Sequence, residues 1–254
     1  MEHSGKGSSF VKQAAILAAA SMIVRFIGFL YRVPMTAIIG DAGNAIYSAG
    51  YQVYNFLLIL SSAGLPAAIG KMVSERLALK QYKNAHKVFR VSLMLSGGLS
   101  FVFMVMLLLF SKEIAVNICK IPDAYYTLMS LAPTIFIVGI MSAFRGYFQG
   151  MNNMVPTAVS QIVEQIFNAV FSVLLAWLFI KNSVALAASG GTTGTGMGAF
   201  AGLLMLFLAY GFNRRKIRKR NSLPARDYEV ESTGSIIKIL LKTAVPIIDR
   251  KSVV

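Results

Sequence analysis

Charged residues are scarce in this sequence, and two of its long apolar runs lack them entirely. They make up 14% of the 254 residues, whereas soluble domains carry about 25%. Residues 91–110 and 124–144 contain no charged residue at all. Such runs are typical of membrane helices, which need about 20 apolar residues to cross the hydrocarbon layer. We therefore predict an integral membrane protein rather than a soluble domain.

Metal-binding and redox residues are also scarce. The single cysteine, Cys119, excludes an internal disulfide and a multi-cysteine metal site. Both histidines, His3 and His86, lie outside the apolar runs, which excludes a bis-histidine haem within the bilayer. Of the ten acidic residues only Glu164 falls inside a predicted span, whereas enzymes acting on polyprenyl phosphate typically hold a metal with clustered acids. We expect no cofactor and no enzymatic activity, with a membrane glycosyltransferase or phosphotransferase as the alternative.

The apolar runs predict an all-α fold of six complete membrane helices and the start of a seventh. Only helices and closed barrels satisfy their backbone groups in lipid, and these runs are too long for barrel strands. A signal peptide is the alternative for the first run, but that run continues to Ile39, beyond the length of a signal-peptide core. The predicted spans are 14–39, 45–70, 91–110, 124–144, 155–180 and 184–212, with the seventh helix starting in 236–248.

The net charge of +15 comes mainly from basic residues on one side of this topology. Only Lys112, Lys120 and Lys181 fall on the other side. By the positive-inside rule we expect the N-terminus and the linker 213–235 in the cytoplasm, so the charge does not require a nucleic-acid partner. The basic half of the linker either anchors this topology or contacts anionic headgroups. The cytoplasmic set is Lys6, Lys12, Lys71, Arg76, Lys80, Lys83, Lys87, Arg90, Arg145, Arg214, Arg215, Lys216, Arg218, Lys219, Arg220 and Arg226.

The C-terminal residues suggest a helix at the membrane surface followed by a non-native end. Lys238 and Lys242 are four residues apart and share one helical face, which is typical of an interfacial helix that leads into a span. Residues 249–254 end that helix abruptly and look like the translation of a common sequencing adapter. We expect the natural protein to continue beyond this chain.

Two arginines interrupt the first apolar run. Arg25 and Arg32 share one helical face and lie about 10 Å apart along its axis. Gly28, between them, leaves room for a ligand or a helix to approach. An arginine at mid-bilayer costs about 3 kcal/mol and usually faces a polar interior. Because a guanidinium binds phosphate in bidentate fashion, both are candidate phosphate ligands, with a snorkelling or structurally paired arginine as the alternative.

Aromatic and amide side chains follow one face of the second span. Tyr47, Tyr51, Tyr54 and Asn55 have the i, i+4, i+7, i+8 spacing of a helical stripe. Such a stripe suits the lining of a sugar-binding cavity. An interfacial aromatic belt is the alternative for Tyr47 and Tyr51.

Residues 144–170 contain the remaining candidates. Arg145 and Gln149 end the fourth span on the cytoplasmic side, as a gate or as an interfacial anchor. Glu164 lies about 13 Å along the fifth helix, where it can pair with Arg25, bind a coupling cation, take up a proton or form a structural salt bridge. The polar stripe of that helix consists of Gln161, Glu164, Gln165 and Asn168.

Glycines recur at every fourth position in the sixth span. A nucleotide loop is disfavoured, because no strand precedes these glycines and no Gly-Lys-Ser/Thr follows them. We predict instead that Gly194, Gly198 and Gly202 form a ridge for close helix packing.

Three motifs carry a resemblance to a known family. They are RFIGFLYRVP (25–34), SSAGLPAAIGKMVSE (61–75) and FRGYFQGMNNMVPTAVSQIVEQ (144–165). They resemble the polysaccharide biosynthesis / stage V sporulation protein B-like exporters, which belong to the multidrug/oligosaccharidyl-lipid/polysaccharide flippase superfamily and are related to the lipid II flippases. The resemblance covers residues 10–248.

This resemblance implies two helical lobes around a central cavity in a bacterial cytoplasmic membrane. Residues 1–212 would form the N-terminal lobe, and a C-terminal lobe would complete the protein. Alternating access would carry a lipid-linked pyrophosphate sugar to the outer leaflet, driven by Na⁺, H⁺ or the membrane potential. A cation-coupled multidrug exporter of the same superfamily is the alternative, and it would depend on Glu164 more than on Arg25.

The resemblance also implies roles for particular residues. Arg25, Gly28 and Phe29 match an Arg-x-x-Gly-Phe pattern of the lipid II flippases, and Arg32 falls one residue later than their second arginine. Leu58 and Ile59 occupy the region where those flippases carry further arginines, so the glycan is lipid II or another polyprenyl-linked glycan. The expected substrate-binding residues are Arg25, Arg32, Tyr51, Tyr54, Asn55, Gln161 and Asn168, with Glu164 for ion coupling or charge balance.

Overall fold

The structure is a computed structural model that describes residues 3–62, 64–221 and 229–252, with side chains described over 11–62, 64–213 and 229–244. Every regular element in these ranges is helical, as predicted. Residues 222–228 of the predicted linker and 253–254 of the predicted non-native end lie outside the described residues. The elements are α1 (His3–Ser62), α2 (Leu65–Ala78), α3 (Tyr82–Glu113) with a π-helical turn (Ile114–Ile118), α4 (Ala124–Gly150), α5 (Val155–Phe179), α6 (Val184–Asn221) and α7 (Thr233–Ser252).

Helix α1 contains the first two predicted spans, which meet at a break. Gly40 has φ 65° and ψ −172°, a conformation that glycine adopts far more readily than other residues. We call residues 3–39 the N-terminal arm and residues 41–62 the C-terminal arm. One small cavity is lined by both Tyr31 and Asn55, which would be about 36 Å apart along a straight helix. The two arms therefore fold towards each other at Gly40.

The second predicted span, 45–70, is wrong in its extent. The C-terminal arm ends at Ser62 and a new helix, α2, begins at Leu65. Pro66 is in the first turn of α2. Its ring would clash with the carbonyl of Ser62 if the helix were continuous, and proline has no backbone N–H to donate. The proline is tolerated in the first turn of the new helix, where an N–H has no intrahelical partner.

Five helical stretches in the described residues are long and apolar enough to cross a membrane. The first, Val11–Ala78, contains both arms of α1 and all of α2, so two predicted spans fall within one stretch. The class predicted from sequence is confirmed, although the helix boundaries differ. The other stretches are Tyr82–Ile118, Ala124–Gly150, Val155–Phe179 and Val184–Asn213.

The glycine ridge predicted on α6 is confirmed, because it packs directly against α5. A Cβ atom at Gly194 would overlap the backbone of Ser172, and one at Gly198 would overlap the carbonyl oxygen of Glu164. A Cβ atom at Gly202 would lie 3.1 Å from the carbonyl oxygen of Ser160. Close backbone approach of this kind is how small residues hold membrane helices together. The ridge thereby fixes the position of the polar stripe on α5.

Candidate functional site

A polar cavity of about 370 Å³ lies between the two arms of α1. Its lining mixes one guanidinium with hydroxyl and amide side chains and with the apolar side chains of Met35 and Ile39. Hydroxyls and amides donate and accept hydrogen bonds, which suits a polyhydroxylated ligand. The lining residues are Tyr31, Arg32, Met35, Thr36, Ile39, Asn44, Tyr47, Ser48, Tyr51, Gln52 and Asn55.

Arg32 supplies the positive charge of this cavity. Its side chain is exposed, and it makes no ion pair with any side chain that the structure describes. The carbonyl of Arg32 accepts a hydrogen bond from Thr36 Oγ1 at 2.9 Å, so the next helical turn is tied to this residue. An unpaired guanidinium among apolar helices is costly unless it faces water or an anion. Arg32 is therefore available to an anionic ligand.

Arg25 lies two turns away on the same edge of the arm, outside the cavity lining. It too is exposed and lacks an ion-pair partner among the described residues. The motif resemblance matched Arg25 more closely, whereas the cavity contains Arg32 instead. Gly28, between them, faces α5, and a Cβ atom there would lie 3.3 Å from Gln165 Nε2. The space that the glycine leaves is thus taken up by the approach of α5.

The tyrosine stripe on the C-terminal arm divides between cavity and core. Tyr47 and Tyr51 stack with ring centroids 5.4 Å apart and line the cavity, as does Asn55. Tyr54, although only 5.4 Å from the ring of Tyr51, is 3% exposed and packs with Leu57 and its neighbours in an apolar cluster. The structure does not bring Tyr54 to the cavity, because its position on the helix points towards α3 and α4.

Glu164 is paired with Arg145, and the structure contradicts the proposed pairing with Arg25. Arg145 Nη2 lies 2.6 Å from Glu164 Oε2, with the two side chains 16% and 27% exposed. The guanidinium also donates from Nε and Nη2 to Ser160 Oγ at 3.3 Å. Both Ser160 and Glu164 are on α5, one helical turn apart, and Arg145 reaches them from the end of α4. This arrangement joins α4 to α5 and neutralises the carboxylate.

Asn168 also belongs to the packing between helices rather than to the cavity. It is 7% exposed, and its Oδ1 accepts hydrogen bonds from Ser172 Oγ at 2.8 Å and Thr195 Oγ1 at 3.2 Å. The bond from Thr195 connects α5 to α6, whereas Ser172 lies one turn away on α5 itself. Gln161 is half-buried, and its Oε1 has no hydrogen-bond partner among the described residues. Neither Asn168 nor Gln161 lines the cavity.

Gln149 lines a second groove at the other end of the lobe, between α2 and α4. The groove has a volume of about 310 Å³ and also contains Lys71, Ser74 and Asn152. Arg145, which was grouped with Gln149, is instead held by Glu164 within the α4–α5 pair. The two residues therefore lie in different surroundings, and their role as a gate or anchor stays a prediction.

Sequence reasoning missed several cavity residues on the C-terminal arm. Asn44, Ser48 and Gln52 line the cavity together with Asn55. Their spacing of four, four and three residues is that of one helical face, so a polar stripe was present in the sequence. It was overlooked because the aromatic residues of the same helix were the more conspicuous pattern.

The chain belongs to the family described as "Polysaccharide biosynthesis protein", which it matches over residues 10–245. It is 32% identical to stage V sporulation protein B of Bacillus subtilis over 83% of this chain and 41% of that protein. It is 29% identical to the lipid II flippase MurJ of the same organism over 82% of this chain and 40% of that protein. The chain thus spans about two fifths of the length of these curated relatives.

Solved transporter structures share the fold. A transporter of the MOP superfamily from Pyrococcus furiosus matches with a TM-score of 0.72 and 17% identity, over 93% of this chain and 52% of that one. A MATE structure in the straight conformation matches with a TM-score of 0.74 and 17% identity, over 94% of this chain and 52% of that one. At this identity the likeness concerns the fold alone. The chain corresponds in extent to about half of each transporter.

Proposed function

We propose that this chain is the N-terminal lobe of a flippase that moves a polyprenyl-pyrophosphate-linked glycan across the bacterial cytoplasmic membrane by alternating access. The observation that carries the proposal is Arg32, exposed and without an ion-pair partner among the described residues, in a cavity lined by hydroxyls and amides. In the family to which the chain belongs, one relative is named a lipid II flippase. A pyrophosphate headgroup would supply the missing counter-charge, and the sugar would meet the polar lining.

The two arginines support the proposal through their spacing. Arg25 and Arg32 lie on the same edge of the N-terminal arm, about 10 Å apart along its axis. Guanidinium groups bind phosphate oxygens in bidentate fashion. Arg32 would hold the pyrophosphate in the cavity. Arg25 lies outside the cavity lining, so it would contact the pyrophosphate before or after Arg32 does, as the headgroup passes along the arm.

The orientation and the driving force are part of the proposal. By the positive-inside rule, the basic loops favour a cytoplasmic position for the N-terminus and for the connection between α6 and α7. The lipid headgroup would then enter from the cytoplasmic leaflet and leave through the outer one, with the C-terminal lobe closing the cavity. We infer that transport draws on the membrane potential, because the cavity has a net positive charge and its substrate is anionic. The protein would act as a transporter without a resident cofactor.

A cation-coupled drug exporter is the competing function, since solved multidrug transporters share the fold. Such a protein needs a carboxylate that is free to bind a cation or a proton. Glu164, the one acidic residue inside a span predicted from the sequence, lies 2.6 Å from the guanidinium of Arg145. A carboxylate neutralised in this way is a poor cation ligand. The pairing therefore favours the flippase.

The test is transport by the complete two-lobe protein in liposomes. A fluorescent polyprenyl-pyrophosphate oligosaccharide is incorporated, and its movement is followed by exposure to a membrane-impermeant glycosidase. We expect the rate of lipid movement to depend on Arg32. A folded Glu164→Gln variant should move the lipid at the rate of the unmodified protein. The proposal fails if the labelled lipid stays in its leaflet while a cationic dye is exported along a Na⁺ or H⁺ gradient.

A further inference from the structure

The short segment before α7 is attached to α2 through a partly buried ion pair. Arg76 Nη2 lies 2.7 Å from Glu231 Oε2, although 155 residues separate the two in sequence. Arg76 is only 7% exposed, and its Nη1 donates to the carbonyl of Met72 at 2.9 Å. Glu75 also approaches Arg76, at 3.8 Å, but it is 53% exposed. Glu231 is therefore the principal counter-charge of a guanidinium that water scarcely reaches.

The backbone of the same segment is held by α3. Lys87 Nζ donates to the carbonyl of Glu231 at 2.6 Å. Asn84, which is 1% exposed, donates from Nδ2 to the carbonyl of Glu229 at 3.1 Å and accepts at Oδ1 from the backbone N–H of Glu231 at 3.2 Å. A buried asparagine that satisfies two backbone groups in an extended segment specifies the register of that segment. The contacts thus form a cradle built for residues 229–231.

Helix α7 continues this attachment with an apolar face. Ile236, Leu240 and Ala244 are between 0% and 3% exposed and belong to the same core cluster as residues of α2, α3 and α4. Lys238 and Lys242 are exposed, on the opposite side of the helix. Burial of the two large aliphatic side chains, Ile236 and Leu240, favours docking of the helix onto the lobe. Residues 229–244 are therefore packed onto the lobe as a unit.

We propose that Arg76 and Glu231 form a latch that fixes residues 229–244 to this lobe, so that this segment moves with the lobe as one body. The latch acts as a positioning device: neither residue lies at the cavity between the arms of α1. Without Glu231 a buried guanidinium loses its main partner, and burying an unpaired charge is unfavourable. The segment would then leave its cradle, and α7 would dock only through its apolar face.

Hydrogen–deuterium exchange of the complete two-lobe protein in lipid nanodiscs tests the latch directly. In Glu231→Gln we expect peptides from 229–244 to exchange about tenfold faster, because the charge-assisted bond is lost. Peptides from α5 should be unchanged. The matched control is Glu229→Gln, which removes an exposed carboxylate two residues away and keeps the backbone contact to Asn84. Exchange in Glu231→Gln equal to that of the control would overturn the proposal.

Charge reversal separates the ion pair from a general loss of packing. Arg76→Glu alone should release the segment as Glu231→Gln does, whereas the double variant Arg76→Glu/Glu231→Arg should restore slow exchange over 229–244. If the folded double variant still exchanges fast over 229–244, the shape of the cradle alone holds the segment. That result would overturn the latch.

A transport measurement then tests what the latch does, and this step rests on the proposed flippase function. In the complete protein we expect Glu231→Gln to lower the rate of lipid movement about fivefold without changing substrate affinity. Faster exchange with an unchanged transport rate would overturn the coupling of the segment to lobe movement. Absence of lipid transport in the unmodified protein would instead count against the proposed function, leaving the exchange result intact.

Discussion

Arg32 and Arg145 are both arginines on membrane helices, but their surroundings differ completely. Arg145 is 16% exposed, contacts Glu164 at 2.6 Å and donates to Ser160. Arg32 is exposed in a polar cavity and has no ionic partner among the described residues. Arg145 has its counter-charge within the lobe and so joins two helices. Among the described residues Arg32 has no ionic partner, so its charge is left for solvent or a ligand, and this is why we propose that it binds the substrate.

The same contrast extends to the helices that carry them. Helix α4, which carries Arg145, packs against α2, α3 and α6, and most of its residues are buried. The N-terminal arm of α1 leaves large apolar side chains uncovered, with Phe26 64% and Phe29 69% exposed. One helix is thus fixed by packing on both sides. The other presents a face that lipid or a second lobe would cover. Four changes would break or sharpen this contrast.

The largest effect is expected from filling the ridge between α5 and α6. Gly198→Leu places a side chain where the carbonyl of Glu164 and the backbone of Asn168 already lie. Because backbone atoms cannot move aside cheaply, we expect a destabilisation of about 3 kcal/mol or more. Thermal unfolding in detergent would show little folded protein. Gly97→Leu on α3, where a Cβ atom meets nothing within 4 Å, is the matched control and should fold normally.

The paired arginine should affect stability next most strongly. Arg145→Ala leaves Glu164 without its partner in a half-buried position, at an expected cost of about 3 kcal/mol in the free energy of unfolding. Arg145→Met/Glu164→Leu should be more stable than either single variant, because no charge is then left alone. Lys71→Ala, which breaks an exposed pair with Glu75 at 3.9 Å, is the control and should change stability by about 0.5 kcal/mol at most. Single and double variants of equal stability would contradict a structural pair.

The unpaired arginines should affect transport without affecting stability. With Arg25→Gln and Arg32→Gln together we expect lipid movement to fall about 100-fold, since each charged hydrogen-bonding group contributes about 1.5–3 kcal/mol. The melting temperature should not change, because neither residue has an ionic partner to lose. Arg90→Gln, which replaces an exposed arginine of α3 that donates from Nε to His86 Nε2, is the control. A large fall in melting temperature would assign these arginines a structural role after all.

Sequence patterns predicted the all-helical membrane class, because hydropathy is a property of the chain itself. The limits of the second span were predicted less well. Pro66 indicated a helix boundary, but the prediction followed the continuous apolar run from 45 to 70 instead. Partners across helices were harder still. Glu164 and Arg145 are 19 residues apart, and only the packing of α4 on α5 brings them together.

Helical periodicity also has a physical limit, since it shows which residues share a face and not what that face meets. Tyr51 and Tyr54 were predicted to act together from their spacing. The structure separates them, because the stripe is wider than the cavity and one edge of it packs against α3 and α4. Asn168 behaves similarly: its polarity suggested a ligand contact, whereas it binds Ser172 and Thr195.

The smallest and most discriminating effect concerns these two tyrosines. Tyr51→Phe removes a hydroxyl from the cavity lining, and we expect the KM for the lipid-linked glycan to rise about threefold to tenfold, the equivalent of one hydrogen bond. Tyr54→Phe removes the same atom from a buried residue outside the cavity, and we expect its KM to be that of the unmodified protein. Both are measured in the same liposome assay. An equal rise of KM in the two variants would mean that both tyrosines contact the ligand, as their helical spacing predicts. The lining of the cavity would then fail to identify the ligand-binding tyrosines.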